Sequence, residues 1–135
     1  MDIIVSEEDI KRIDACLNKM LNKSAAVSAF LIDRSGQLIS NCGNPSALDV
    51  SAFSALTAAN FGATSEIAKL LGEEEFNLLF HKGQNENVYF SVVGENMIIV
   101  IVFDDRTTVG LVRLSINMIM DELLQILSPI YQKGE

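Results

Sequence analysis

The sequence predicts an α/β (α+β) fold, a single domain over residues 1–135 in which helices cover both faces of a five-stranded antiparallel sheet. Apolar residues recur at helical spacing near the start, in the middle and near the end of the chain. Two extended segments, Ala25–Asp33 and Met97–Phe103, are apolar on both sides, as strands are when helices pack on both faces of a sheet. Short turns between neighbouring strands favour antiparallel pairing. The predicted order of elements is α-β-β-α-β-β-β-α.

The first three elements have clear boundary signals. Ser6 is a good N-cap for the first helix, which we expect to end near Asn22. The first strand then leads into a tight turn at Asp33–Gly36, where the glycine is free to take a positive φ angle. The second strand of this hairpin is predicted at Gln37–Asn41.

The middle helix, predicted over Ala47–Gly72 with Gly72 as its C-terminal cap, is apolar on more than one side. One stripe, at steps of three or four, comprises Ala52, Leu56, Ala59, Ala63, Ile67 and Leu70. A second comprises Phe53, Thr57, Phe61, Ala68 and Leu71. A surface helix usually has one apolar stripe and a charged back. We therefore expect this helix to cover the sheet and also to contact the same helix in a second copy, so that the chain forms a homodimer. The alternative is a monomer in which the small residues only fill a tight core.

The second half of the chain predicts three strands and a long helix. Apolar and polar residues alternate over Phe76–Lys82 and over Asn87–Val93, and the continuous apolar run named above suits a central strand. The last helix is predicted to start near Thr107 or Thr108, and Pro129 is expected to end or bend it.

Composition and charge exclude several classes of function. The net charge of −8 argues against a nucleic-acid or anionic-membrane partner, since both need clustered lysine and arginine. The start of the chain lacks the basic end of a signal peptide, and the longest apolar run is too short to span a bilayer. Cys16 and Cys42 lack the spacing of a metal or redox motif, so free thiols in a reducing cytosol are favoured over a disulfide. We expect a cytoplasmic protein.

No group of residues predicts an active site. The glycines are too dispersed for a phosphate-binding loop. His81 is read as an edge-strand residue rather than a general base, and Glu73–Glu75 as a solvated corner rather than a metal site. Asp104–Asp105 are read as helix-capping acids rather than metal ligands. Arg106 and Arg113 could bind an anionic group on a partner, but pairing with nearby acids is favoured. We therefore predict no catalytic residue, no metal site and no cofactor.

Two segments resemble a known family. Leu56–Asn60, with the sequence Leu-Thr-Ala-Ala-Asn, and Phe103–Arg113 are similar to the Roadblock/dynein light chain family, as is the order of elements from about Ser6 to Leu127. The similarity is greatest to the prokaryotic MglB-like branch. The resemblance implies a homodimer that pairs through the middle helix and third strand, giving one ten-stranded sheet. It also implies regulation of a small Ras-like GTPase in cell polarity. GTP hydrolysis would be stimulated by ordering the GTPase's own switch residues, without an arginine finger.

The resemblance and the helical spacing together give candidate sites. The positions that match the family's dimer interface are Ala55, Ala58, Ala59, Gly62, Phe76, Leu78 and Phe80. The positions expected to point outward and bind the partner, by helical spacing, are Ser51, Ser54, Ala55, Ala58, Gly62 and Ser65. Two alternatives stay open. The platform could recruit proteins as a scaffold without changing any rate, and partners could bind at the terminal helices instead.

Overall fold

The described part of the chain contains three helices and five strands in the predicted order. The computed structural model describes residues 5–44, 48–73 and 78–133. The helices are α1 (Glu7–Ser24), α2 (Val50–Leu70) and α3 (Val109–Lys133). The strands are β1 (Ser28–Asp33), β2 (Leu38–Gly43), β3 (Leu78–Lys82), β4 (Asn87–Val93) and β5 (Met97–Phe103).

The strands form one antiparallel sheet with the order β2-β1-β5-β4-β3. Strand β5 lies in the centre, and all seven of its residues are buried. This burial explains why its sequence is a continuous apolar run, because both of its faces are covered. Strands β2 and β3 form the two edges.

The helices lie on opposite faces of the sheet, as predicted. Alternate residues of β5 point to opposite faces. Ile99 packs in a core cluster with Leu17 of α1 and Leu123 of α3, whereas Ile98 packs in a second cluster with Phe61 of α2. The expected arrangement, with the middle helix on one face and the terminal helices on the other, is confirmed.

Three local signals are also confirmed. The Ser6 hydroxyl accepts a hydrogen bond from the Asp9 amide at 3.1 Å, as an N-cap does. Gly36 has a φ of +98° in the hairpin turn. Gly72 has a φ of +82° just beyond α2, and the next amide, of Glu73, donates to the Ala68 carbonyl at 2.9 Å. This hydrogen bond over five residues is the Schellman closure of a helix.

Several element boundaries differ from the prediction. Helix α2 spans Val50–Leu70 rather than Ala47–Gly72, and β2 spans Leu38–Gly43 rather than Gln37–Asn41. Helix α1 continues to Ser24 and ends at Ala25 in the left-handed conformation, so β1 begins at Ser28 rather than at Ala25. Pro129 was expected to end or bend the last helix. It does not end it, because α3 continues through it to Lys133. A proline removes one backbone donor, and close to the end of a helix few hydrogen bonds are left to disturb.

Candidate interaction surface on the middle helix

Helix α2 crosses the strands instead of running along them. The ring of Phe53 lies 4.9 Å from that of Phe30 on β1, and the ring of Phe61 lies 6.1 Å from that of Phe90 on β4. Eight helical residues rise about 12 Å, and two strand spacings are about 10 Å. Only β3 lies beyond β4, so the C-terminal turns of α2 reach past the edge of the sheet.

The side of α2 that faces the sheet is mixed in chemistry. Its buried residues are Ser54, Thr57, Ala58, Phe61, Thr64 and Ala68. The hydroxyl of Ser54 donates to the Val50 carbonyl and that of Thr64 donates to the Asn60 carbonyl, each at 2.8 Å. These bonds to the preceding turn let polar side chains lie against an apolar sheet without an unsatisfied group.

The opposite side of α2 exposes large aliphatic side chains. We call Leu56, Ala59, Ala63, Ile67 and Leu70 the outer flank. Within one chain Leu56 is 70% exposed, Ile67 52% and Leu70 87%. Lys69 is the one cation within α2, and it pairs with Glu66 at 3.2 Å. A contiguous exposed apolar surface of this kind marks a site of interaction with another macromolecule.

The predicted dimer-interface residues differ in how far they are exposed. Ala55, Ala59 and Gly62 are exposed on α2, and Phe80 on edge strand β3 is 40% exposed. Ala58 is only 9% exposed and faces the sheet, so the expectation that it lies on an outer surface is wrong. The exposure of the two remaining predicted residues is not described. Phe76 lies outside the described residues, and Leu78 belongs to β3 but its side chain is not described.

Two predicted partner-binding residues also point inward. Ser54 is 1% exposed. Ala58 lies against the β1–β2 turn, since a Cβ atom added to Gly36 would be 3.7 Å from the Cβ of Ala58. The expectation that both point outward is therefore wrong. Ser51 is exposed and Ser65 is partly buried.

Sequence reasoning gave too little weight to the outer flank. The site prediction selected small residues and omitted Leu56, Ile67 and Leu70, which are the most exposed large apolar side chains of α2. The signal was available in the first apolar stripe. A stripe with three large aliphatic residues and no charge is either buried or covered by a partner, and the structure exposes it.

Strand β3 provides an unpaired edge beside this helix. The ring of Phe80 stacks on that of Phe103 with centroids 6.0 Å apart, and His81 meets Phe90 edge-on at 5.4 Å. Phe80 thus lies on the face covered by α1 and α3, and His81 lies on the α2 face. Among the described strands none pairs with the outer edge of β3, so its outer backbone groups can pair with a strand of another chain.

An open cleft of about 710 Å³ lies between the N-terminal part of α2 and one end of the sheet. Its apolar walls come from Val27, Leu48, Phe53, Val88 and Val102. Its rim is polar and is formed by Ser28, Asn44, Asn85, Glu86, Asp104 and Arg106. The cleft therefore combines an apolar floor with a hydrated edge.

The predicted pairing of Arg106 with an acid is confirmed at this rim. Its Nε and Nη2 atoms donate to the two oxygens of Asp104, each at 3.0 Å, and its backbone amide also donates to Asp104. These hydrogen bonds hold the pKa of the Asp104 carboxyl below its ordinary value. The pair is exposed to solvent and organises the loop that leads into α3.

The described residues carry few groups suited to chemistry. Cys16 and Cys42 are free and buried, and burial raises the pKa of both thiols. Their unreactive state agrees with the sequence prediction of free thiols. Within residues 5–44, 48–73 and 78–133, no group of three or more His, Cys, Asp or Glu side chains is placed to hold a metal ion. None of the described helices combines the length and the apolar character needed to cross a bilayer.

Comparison with known proteins assigns the chain to a family. The Roadblock/LC7 domain matches residues 12–103. MglB of Myxococcus xanthus is 38% identical with a TM-score of 0.88, over 95% of this chain and 96% of that one. The gliding protein MglB of Thermus thermophilus is 28% identical with a TM-score of 0.87, over 95% and 97%.

A further solved structure, described as MglB with a tetrameric arrangement, is 28% identical with a TM-score of 0.89 and covers 96% of this chain and 97% of that one. No curated protein sequence gives a significant match. The domain match ends at Phe103, but the structural similarity includes α3. The chain therefore belongs to the Roadblock/LC7 domain family and is similar over nearly its whole length to the MglB proteins.

Proposed function

We propose that the protein is a homodimeric regulator that binds a small Ras-like GTPase and stimulates GTP hydrolysis by ordering the GTPase's own switch residues. The observation that carries the proposal is the outer flank of α2, a large apolar surface exposed beside an unpaired edge strand. The similarity to MglB proteins supports a regulatory role.

Dimer formation accounts for the two exposed features together. A second copy that pairs along β3 would continue the sheet, and its α2 would then lie beside the first. The exposed small residues Ala59 and Ala63 of the outer flank allow the two helices to approach closely. Leu56 and Ile67 would be removed from water in the same step.

The GTPase would bind on the outward surface formed by the two copies of α2. Ser51, Ala55 and Gly62 are exposed there, with Ser65 partly exposed, and their small size gives a flat surface. A flat contact with few deep anchors favours weak, reversible binding. Because the surface lies on the two-fold axis, one GTPase would occupy it per dimer.

The proposed stimulation needs no catalytic side chain from this protein. Helix α2 contains no arginine, and its one lysine is paired with Glu66. The role available to such a surface is to hold mobile loops of a bound protein in one conformation, which brings catalytic groups of that protein into position.

Single-turnover GTP hydrolysis tests the proposal. A small Ras-like GTPase of the same organism is loaded with GTP, and its hydrolysis rate is measured with and without a saturating amount of the dimer. Ala55→Arg changes the outward surface of α2, and Asn117→Arg is the matched control on the exposed side of α3. Light scattering first confirms that both variants stay dimeric.

We expect the unmodified protein and Asn117→Arg to accelerate hydrolysis and Ala55→Arg to lose the acceleration. Binding without acceleration would instead favour the scaffold function, in which the same platform recruits proteins and changes no rate. Absence of binding would overturn both functions.

A further inference from the structure

The outer side of α3 exposes a row of large apolar residues on the face of the sheet opposite α2. Leu111, Leu114 and Met118 follow one another at steps of three and four, which keeps them on one side of the helix. They are 40%, 58% and 50% exposed, and we call them the α3 row. The row rises about 10 Å along the helix. A straight apolar row at helical spacing is the kind of surface against which another helix packs.

The α3 row lies beside α1. The two helices pack against each other, and Nζ of Lys19 lies 4.0 Å from Oε2 of Glu122. Glu122 follows Met118 by one turn on the same side of α3, so the row borders the line where the helices meet. The helices run antiparallel, because α1 leads into the start of β1 and α3 follows the end of β5, and these strand ends are paired. Lys23, one turn after Lys19, is therefore on the part of α1 that lies beside Met118.

The charges around the α3 row are positive. The last ten residues of α1 and the first twelve of α3 carry three charged side chains, Lys19, Lys23 and Arg113, and no acid. Acids border this part only at its ends, at Asp105 and at Asp121–Glu122. Within the described residues Lys19 pairs with Glu122, and neither Lys23 nor Arg113 has an ion-pair partner. In a chain of net charge −8, this cationic surface favours a negatively charged partner.

The same surface points away from the edge along which two copies would pair. Helix α1 packs on β2, where the Ser40 hydroxyl donates to the Asp14 carboxylate, and β2 is the sheet edge opposite β3. The α3 row faces α1 and therefore the β2 side of the sheet. Pairing along β3 and contacts through α2 would both leave it exposed.

We propose that the α3 row and the basic residues beside it bind an acidic amphipathic helix of a partner protein. The inference does not depend on the proposed function. Apolar side chains of the partner helix, spaced three and four residues apart, pack on Leu111, Leu114 and Met118. Aspartate or glutamate side chains next to them pair with Lys23 on the α1 side of the row and with Arg113 on its other side. The partner thereby covers the exposed apolar surface and supplies the acids that this surface lacks.

Two synthetic peptides test the shape and the charge of this surface. Each is a labelled helical peptide of about 18 residues, or five turns, with leucines at steps of three and four along one side. The first has glutamate beside the leucines, and the second has lysine at the same positions. Fluorescence anisotropy measures the binding of each to the intact protein. We expect the glutamate peptide to bind with a dissociation constant of about 100 µM or tighter and the lysine peptide to bind at least tenfold more weakly.

Variants with matched controls locate the binding. Leu114→Ser should weaken binding of the glutamate peptide at least tenfold, because it removes the most exposed side chain of the α3 row. Lys23→Glu should weaken it at least threefold. Val109→Ser changes an exposed residue on another side of α3, and Lys11→Glu makes the same charge change on another side of α1. Both controls should bind the peptide as the unmodified protein does. Circular dichroism confirms that all four variants are folded.

Several outcomes would overturn the proposal. Failure of the glutamate peptide to bind would do so, as would equal binding of the two peptides or an unchanged affinity of Leu114→Ser. Binding to phosphatidylglycerol vesicles without binding to the glutamate peptide would show that the surface contacts a membrane instead. A lower assembly mass of Leu114→Ser than of the unmodified protein, measured by sedimentation, would show that a further copy of this chain covers the α3 row.

Discussion

The two faces of the sheet are covered to different extents. Helices α1 and α3 pack on one face and against each other, and residues such as Leu17 and Leu123 are fully buried between them and the sheet. Helix α2 alone crosses the other face and leaves the cleft open beside it. The central strand β5 is equally apolar on both faces, so the difference comes from the helices and not from the sheet. One face is completed within the chain, and the other exposes the surface that a second copy would cover.

The helices on the closed face also expose some apolar residues, all of them on the outer side of α3. Leu111, Leu114 and Met118 are each at least 40% exposed, and they lie on a helix whose buried side already packs on α1 and the sheet. They line neither the cleft beside α2 nor the smaller depression at Asn85 and Asp104–Arg106. They follow one another at steps of three and four on one side of α3. We use them as controls for α2, because a second exposed apolar helix side tests whether association occurs through α2 or through α3.

The largest expected effect is on the face covered by α1 and α3. Leu123→Ala removes a side chain with no exposed surface and leaves a cavity in a closed core, so the free energy of unfolding should fall by about 3 kcal/mol. Leu114→Ala on the same helix should change it by less than about 0.5 kcal/mol, since that side chain is 58% exposed. Urea unfolding of both variants measures the difference. Equal losses would mean that the outer side of α3 is covered in solution, and the contrast between the two faces would fail.

The next effect concerns association through the α2 face. Ile67→Asp places a charge on the outer flank, where a partner helix would exclude water, and should raise the dimer dissociation constant about 100-fold, or about 3 kcal/mol. The monomer should stay folded, because Ile67 is half-exposed within one chain. Sedimentation equilibrium gives the constants, and Leu114→Asp is the control. If Leu114→Asp dissociates the dimer and Ile67→Asp does not, the copies pair through α3.

The parts predicted from sequence are those where one physical signal dominates. The bounds of β4 and β5 are as predicted. Alternating apolar and polar residues fit a strand such as β4, and a continuous apolar run fits a central strand such as β5. The cap at Ser6 and the positive φ of Gly72 follow equally directly from side-chain chemistry. The orientation of α2 does not follow in this way. Its apolar residues occupy several sides, so helical spacing alone could not separate the inward Ser54 and Ala58 from the outward side chains.

The other errors arise where tertiary packing outweighs local preference. Ala25 adopts a left-handed φ of 59°, which alanine disfavours, and so ends α1 later than the sequence indicates. Pro129 stays helical because the neighbouring side chains, including Leu127 and Ile130, are buried against the core. Burial of these large residues compensates for one lost backbone hydrogen bond.

Pro129 also gives a prediction on the closed face. Pro129→Ala restores a backbone donor to the last turns of α3 and removes the ring from the preceding turn. The free energy of unfolding should rise by about 1 kcal/mol, less than the cost of about 3 kcal/mol for a proline in mid-helix, because the site is close to the helix end. Thermal unfolding should shift upward by about 3 °C. A lower melting temperature would show that the proline ring itself packs in a stabilising contact.

The smallest effect is a change in pH dependence at the rim of the cleft, where the two faces meet. Hydrogen bonds from Arg106 lower the pKa of Asp104, so ionised Asp104 stabilises the fold above its unfolded pKa. That contribution is lost as the pH falls through the lower folded pKa. Arg106→Gln should move the Asp104 titration, followed by carboxyl NMR, toward the ordinary value. The acid-dependent loss of stability from this group should then be smaller and complete at a higher pH. Arg113→Gln should leave it unchanged, because Arg113 is not among the groups that shift the pKa of Asp104. The pair is exposed, so the change in stability should be small. The titration midpoint of Asp104 could instead be the same in the unmodified protein and in Arg106→Gln. The pair of Arg106 with Asp104 would then not persist in solution, and the rim of the cleft would lack this fixed charge pair.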